Sequence, residues 1–229
     1  VAPDGSRQPN DEAHIEHAIA VAKRKNRGLD PSVFDYLRDV LLLRIQSPDA
    51  AHFAMRFQQL TGPGMAKGVE DTAMYRYNRL VCLNEVGCDL ARFGATVEER
   101  HAHNSAILGA FPLSMTTTTT HDTKRSEDVR ARISILSELP ERWAELLADL
   151  MSLAAPLRTD FEGKAAPDPN EEYLFYQTVL GTWPQGPREG DFDDTYVDRI
   201  VAYLRKATKE AKVNTSWIDA KSEYNAAIE

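Results

Sequence analysis

Only one stretch of this chain has the β-branched run expected of a strand: Ser114 to Thr120, which holds five consecutive threonines. Almost everywhere else apolar residues return roughly every three or four positions, the spacing of one helix face. A strand by itself leaves its backbone donors and acceptors without a neighbour, and a buried strand needs one on each side. The sequence therefore reads as mainly α, with a strand whose partners would lie in residues beyond it.

Helix signals recur along the chain. Asp11 to Lys25 places Ile15, Ala18, Ile19 and Ala22 at helical spacing. Asp30-Pro31 supplies an N-cap and a proline at the first helical position, and Val33, Leu37, Val40 and Leu41 continue that helix toward Gln46. Ser47-Pro48 repeats the signal, and Gly62-Pro63-Gly64 is predicted to end the helix that follows. Residues 65–94 show no clean period and read as loop and short helix. Thr96-Val97-Glu98-Glu99 has the form of a capping box opening a helix to about Ala110. Further helices are expected over Val129–Leu139, from Pro140 onward, after a cap at Asn170, from about Asp193 to Lys212, and after Asp219. Residues 158–170 read as a loop, and Gly181 to Gly190 as a closing turn.

The charge balance removes several function classes. The chain has 229 residues and a net charge of −8, which argues against a broad phosphate-binding face and so against nucleic acid. No apolar run has the length of a membrane span. Cys82 and Cys88 have neither zinc spacing nor disulfide density, which suits a reducing cytoplasm. His101 and His103 are two apart and point to different faces of a helix, so no metal site is expected. Asn214-Thr215-Ser216 fits a glycosylation sequon and is read as coincidence. The opening at Val1 reads as the trimmed edge of a longer polypeptide.

Two clusters can carry chemistry. His121-Asp122 ends the threonine run and precedes a helix. As a dipeptide it is a weak signal, and a plain reading makes Asp122 or Thr123 the cap of that helix. At the C-terminal tip of a barrel strand, however, such a pair sits where active sites are built. A carboxylate there stabilises a developing oxocarbenium ion, and a histidine beside it holds a sugar hydroxyl. The second cluster, "MAKGVEDTAMYRY", offers Lys67, Glu70, Asp71, Tyr75, Arg76 and Tyr77 as donors, acceptors and stacking faces. Its plain reading is a solvated turn with local ion pairs.

Around both clusters the sequence resembles the maltooligosyl trehalose synthases, members of the α-amylase-like glycoside hydrolase family 13. The resemblance is carried by "RFQQLTGPGMAKGVEDTAMYRYNRLVCLNEVG" (Arg56 to Gly87) and "THDTKRSEDVRARI" (Thr120 to Ile133). "PSVFDYLRDVLLL", "EYLFYQTVLGTWP" and "KATKEAKVNTSW" are similar to that family too. The resemblance implies an isomerase that turns the reducing-end α-1,4 linkage of a maltooligosaccharide into an α,α-1,1 linkage. It would do so by retaining intramolecular transglucosylation, with no cofactor. It further implies that Asp122 is the third catalytic carboxylate and that His121 binds the same sugar. Lys67, Glu70, Asp71, Tyr75, Lys124 and Arg125 would lie by the pocket that keeps the released glucose. By the same likeness residues 1–112 would be a helical insertion carrying the KGVEDT loop. Residues 113–229 would then be the late βα portion of an amylase-type (β/α)8 barrel, incomplete in this chain.

No stretch resembles the family's Arg-x-Asp nucleophile motif at the end of a barrel strand, or its glutamate acid motif, so the chain alone is expected to be inactive. Two other readings stay open here. One is an ordinary α-glucan hydrolase of the amylase type. The other is a helical interaction module without catalysis, which would more naturally show an exposed apolar patch. The oligomeric state is open as well, since the edge of a threonine strand is a place where a second copy would pair.

Overall fold

The caps written into the sequence start several of its helices. The structure, a computed structural model, describes residues 1–2, 4–6, 8–184 and 194–229. Val1–Lys67 forms one compact unit and Gly68–Glu229 another. The division at residue 112 expected from the family likeness falls inside the second of them.

In the first unit α1 (Asp11–Lys25) and α2 (Pro31–Leu41) pack as a helical hairpin, and α3 (Pro48–Gly68) follows. Asp30 caps α2 by accepting the Ser32 N–H at 2.8 Å, with Pro31 in the first turn. Ile19, Phe34, Val40, Leu42 and Ala54 are among the unit's buried apolar residues. The expected stop at Gly62-Pro63-Gly64 does not occur, because α3 runs through it to Gly68 with Pro63 inside the helix. Residues 56–68 are all exposed, so the Gln59 carbonyl that Pro63 leaves unbonded is accessible to water. Gly62, without a Cβ, also removes most of the clash a proline imposes on the residue before it.

The second unit begins with a π-helical turn over Val69–Ala73 and the short α4 (Met74–Arg76). An irregular stretch leads to α5 (Val97–Ala110), whose capping box is formed: Glu99 N–H donates to Thr96 Oγ1 at 3.2 Å, and Thr96 N–H to Glu99 Oε2 at 2.8 Å. None of the residues of α5 is buried. There follow α6 (Glu127–Ser134), α7 (Pro140–Ala154), a hairpin of β1 (Thr159–Phe161) and β2 (Lys164–Ala166), α8 (Pro169–Thr182), α9 (Asp194–Ala211) and α10 (Ser222–Ile228). The expected turn over 181–190 and the expected start of α9 at Asp193 fall largely outside the described residues.

The core of this unit joins α6, α7, α8 and α9 through Ile133, Leu136, Trp143, Leu174, Tyr176 and Ala207, with Tyr75 from α4 and Leu80 and Val81 from the irregular stretch. α6 and α8 meet at Gly181, where a Cβ would stand 2.8 Å from Ile133 and 2.9 Å from Val129 side-chain atoms. α8 also buries polar groups that do structural work. Gln177 accepts the Val81 N–H at 2.9 Å and donates to the Asn78 carbonyl at 2.8 Å. Glu172 takes Arg158 Nε and Nη2, each at 3.0 Å, and the Tyr176 hydroxyl at 2.6 Å. Asp168, rather than the expected Asn170, caps α8 through a capping box with Glu171.

The expected strand over Ser114–Thr120 is absent: the segment is irregular and exposed. Nothing among the described residues offers it a ladder, so its threonines bond locally instead. Thr117 Oγ1 donates to the Thr119 carbonyl at 2.9 Å, and Thr123 Oγ1 to that of Thr120 at 2.9 Å. The two strands found among the described residues lie in the stretch read as a loop, paired antiparallel with Thr159 opposite Ala166. Glu162 and Gly163 both take positive φ between them, the geometry of a tight hairpin turn.

Candidate functional site

The loop His121–Arg125 is positioned by α6 and by the irregular stretch before α5. α6 does not start at the His-Asp pair. Its N-cap is Ser126, so the reading of Asp122 or Thr123 as the cap does not hold. His121 and Asp122 are exposed, and neither side chain hydrogen-bonds to another described residue. Their polar atoms are therefore open to a ligand.

Lys124 links the two clusters singled out in the sequence. Its ammonium lies 3.3 Å from Asp71 Oδ1, with the two side chains 14% and 25% exposed. Burial lowers the Lys124 pKa, but the Asp71 hydrogen bond and charge, helped by Tyr75 and Asp122, outweigh it and hold the pKa above the ordinary lysine value. Arg125 reaches the other way, donating to the Val81 carbonyl at 3.1 Å and the Tyr203 hydroxyl at 2.7 Å. Lys212, just past α9, donates to Thr72 Oγ1, while Arg76 Nη2 binds the Lys212 carbonyl at 3.2 Å and Nε that of Ala211. A cation thus closes the negative end of α9 and fastens it beside the π-helical turn.

The other expected residues are placed as follows. Glu70 accepts the Gly87 N–H at 3.3 Å. Tyr75 is buried in the core of the second unit, and that burial raises its pKa. Lys67 is exposed in the last turn of α3, within the first unit. A cleft of about 510 Å³ with a mixed polar and apolar lining adjoins the loop, its polar side chains including Lys124, Arg125, Asp128, Arg199, Tyr196 and Tyr203. An apolar groove of about 470 Å³ between α8 and α9 shares no residue with the loop. The cleft beside Lys124 and Arg125, with cations, hydroxyls and a carboxylate, suits hydrogen bonding to a hydroxyl-rich ligand.

Sequence reasoning passed over Glu85. Its Oε1 accepts the Lys124 N–H at 2.7 Å and its Oε2 the Arg125 N–H at 3.3 Å, with Arg130 of α6 at 4.0 Å. Asn84 beside it donates to the carbonyls of Met74 and Tyr77 at 2.9 and 2.7 Å. The only signal for either was a pair of polar residues before the positive-φ Gly87, in a stretch without period. The string Arg158-Thr159-Asp160 spells Arg-x-Asp but belongs to the β1–β2 hairpin, where Asp160 accepts the Gly163 N–H at 3.2 Å.

No family model matches the chain. A protein of Mycobacterium tuberculosis provisionally named maltooligosyl trehalose synthase is 42% identical over 164 residues, which are 72% of this chain and 20% of that protein. The structure of maltooligosyltrehalose synthase from Arthrobacter ramosus superposes with a TM-score of 0.78 at 36% identity, covering 95% of this chain and 25% of that one. The chain is homologous to one segment of the maltooligosyl trehalose synthases. A Sulfolobus tokodaii structure described as a hypothetical maltooligosyl trehalose synthase agrees at TM-score 0.66 and 30% identity, over 93% of this chain and 31% of that one. The chain spans about one fifth of the length of the curated maltooligosyl trehalose synthases it matches.

Proposed function

We propose that this chain supplies one wall of the α-glucan pocket of a trehalose-forming isomerase. The whole protein would convert the reducing-end α-1,4 linkage of a maltooligosaccharide to an α,α-1,1 linkage by retaining intramolecular transglucosylation. Asp122 would grip the distorted sugar and stabilise its positive charge, and His121 would bind a hydroxyl of the same ring. Glu70, Asp71, Lys124 and Arg125 would border the pocket that retains the released glucose, with Tyr75 behind them. Residues 113–229 would form the late part of an amylase-type barrel. The nucleophile and the acid/base would come from elsewhere in the protein, and the chain alone would be inactive.

Beside the homology, one observation carries this reading. The Lys124–Asp71 pair joins the two segments that carry the resemblance to the family, and it leaves His121 and Asp122 open beside it. The test uses the protein that contains this chain together with a nucleophile. Maltopentaose should lose reducing ends with little free glucose. Asp122→Asn should slow that loss on the order of a thousand-fold while glucan binding persists. An unchanged rate would remove Asp122 from the chemistry, and glucose with short maltodextrins as main products would replace the isomerase by a hydrolase.

A further inference from the structure

We propose that Glu85 is a positioning residue for the His121–Asp122 loop, acting through the backbone amides of Lys124 and Arg125 that its carboxylate accepts at 2.7 and 3.3 Å. The inference rests on the reading of Asp122 as a catalytic carboxylate. It concerns how Asp122 is held rather than what it does.

Apart from the bond from Arg130 Nη2 on α6 to the Thr118 carbonyl, the loop's other backbone anchors are local. On its N-terminal side Thr116–Thr120 is irregular: Thr117 bonds within the tract, the Thr118 hydroxyl donates to Glu127, the Thr120 N–H and carbonyl both bond the Thr123 hydroxyl, and the Thr120 hydroxyl accepts the Asp122 N–H at 3.3 Å. On its C-terminal side the Ser126 hydroxyl turns to Asp128 at 2.6 Å instead of capping α6. The side chains of Lys124 and Arg125 reach Asp71, Val81 and Tyr203, but long flexible side chains leave the peptide planes between them free to rotate. Glu85 takes hold of those planes directly. Its carboxylate is 16% exposed, so the bonds are largely shielded from water. Its own place is fixed by the Val86 N–H at 3.0 Å, by Arg130 on α6, and by the Asn84 and Gln177 bonds that pin the stretch from Met74 to Asn84. A carboxylate two residues from such a clamp inherits its precision. Misplacement of a reacting group by about 1 Å costs on the order of 100-fold in rate.

The experiment compares Glu85→Ala, Glu85→Gln and Asp122→Asn in the whole enzyme, with hydrogen exchange read at the Lys124 and Arg125 amides. Glu85→Ala is expected to lower kcat on the order of 100-fold with KM for the maltooligosaccharide little changed, and to speed exchange at both amides. Glu85→Gln, which keeps one acceptor oxygen, should recover part of the rate. Should Glu85→Ala fail to fold, the glutamine variant carries the test: a lowered kcat at an unchanged Tm supports the clamp, and an unchanged kcat overturns it. Wild-type kcat in Glu85→Ala beside an inactive Asp122→Asn would sink the positioning role and leave the reading of Asp122 standing. A lowered kcat with unaltered exchange at the two amides would overturn it as well. An active Asp122→Asn overturns both, and by a signature of its own.

Discussion

Lys124 and Asp71 form a pair too shielded to be a surface ion pair and too open to be a buried one. Exposed pairs contribute about 0–1 kcal/mol, and breaking a fully buried one costs about 3–5 kcal/mol. Lys124→Met or Asp71→Asn alone should therefore cost about 1–2 kcal/mol, with a coupling near 1 kcal/mol in the double-mutant cycle, measured by urea unfolding. A cycle that sums to zero would make the pair incidental. The folded pKa of Lys124 lies above its unfolded value, so while Asp71 is ionised the pair's contribution is full below about pH 10.5 and is lost as pH climbs through the folded value. Both partners were legible in the sequence, because the charged clusters around them stand out from the helical background. Glu85 was not, since it works by accepting backbone N–H groups and nothing in a sequence marks which carboxylate will do so.

Gly181 decides how closely α8 lies on α6. In an open helix Gly→Ala gains about 1 kcal/mol of propensity, but here the new methyl would meet Ile133, which is 0% exposed and has no room to withdraw. Overpacking costs about 1–3 kcal/mol, so the Gly181→Ala variant should be destabilised. A Tm lowered by about 2–8 °C in a thermal melt is the expected outcome, and a raised Tm would refute the close contact. The same balance of local preference against surroundings explains which elements could be read in advance. The capping box at Thr96 and the proline starts at Pro31, Pro48 and Pro140 are local, and they appear where the sequence puts them. The threonine run has strand propensity but no neighbour to pair with, so it fails. The β1–β2 hairpin is three residues a side, too short for a visible alternation, so it was missed.

Taken whole, the second unit carries apolar surface that it does not use. α5 buries no residue, and past its end Leu113 and Met115 are 95% and 99% exposed. Scattered apolar residues are ordinary on a surface, but Leu108, Phe111, Leu113 and Met115 within eight positions amount to an unsatisfied face. The chain on its own should self-associate at concentrations where a Leu113→Lys, Met115→Lys double variant sediments as a monomer. Identical sedimentation of the two would assign the face no such role. A different kind of consequence follows from Gln177, the clasp between α8 and the stretch from Asn78 to Val81. Among side chains of that length only glutamine offers an acceptor and a donor on one planar head. Glutamate would lose the bond to the Asn78 carbonyl, and leucine or methionine would lose both. In mutational terms the position has almost no neutral neighbours, so a lineage could leave glutamine here only by rebuilding residues 78–81 in the same step.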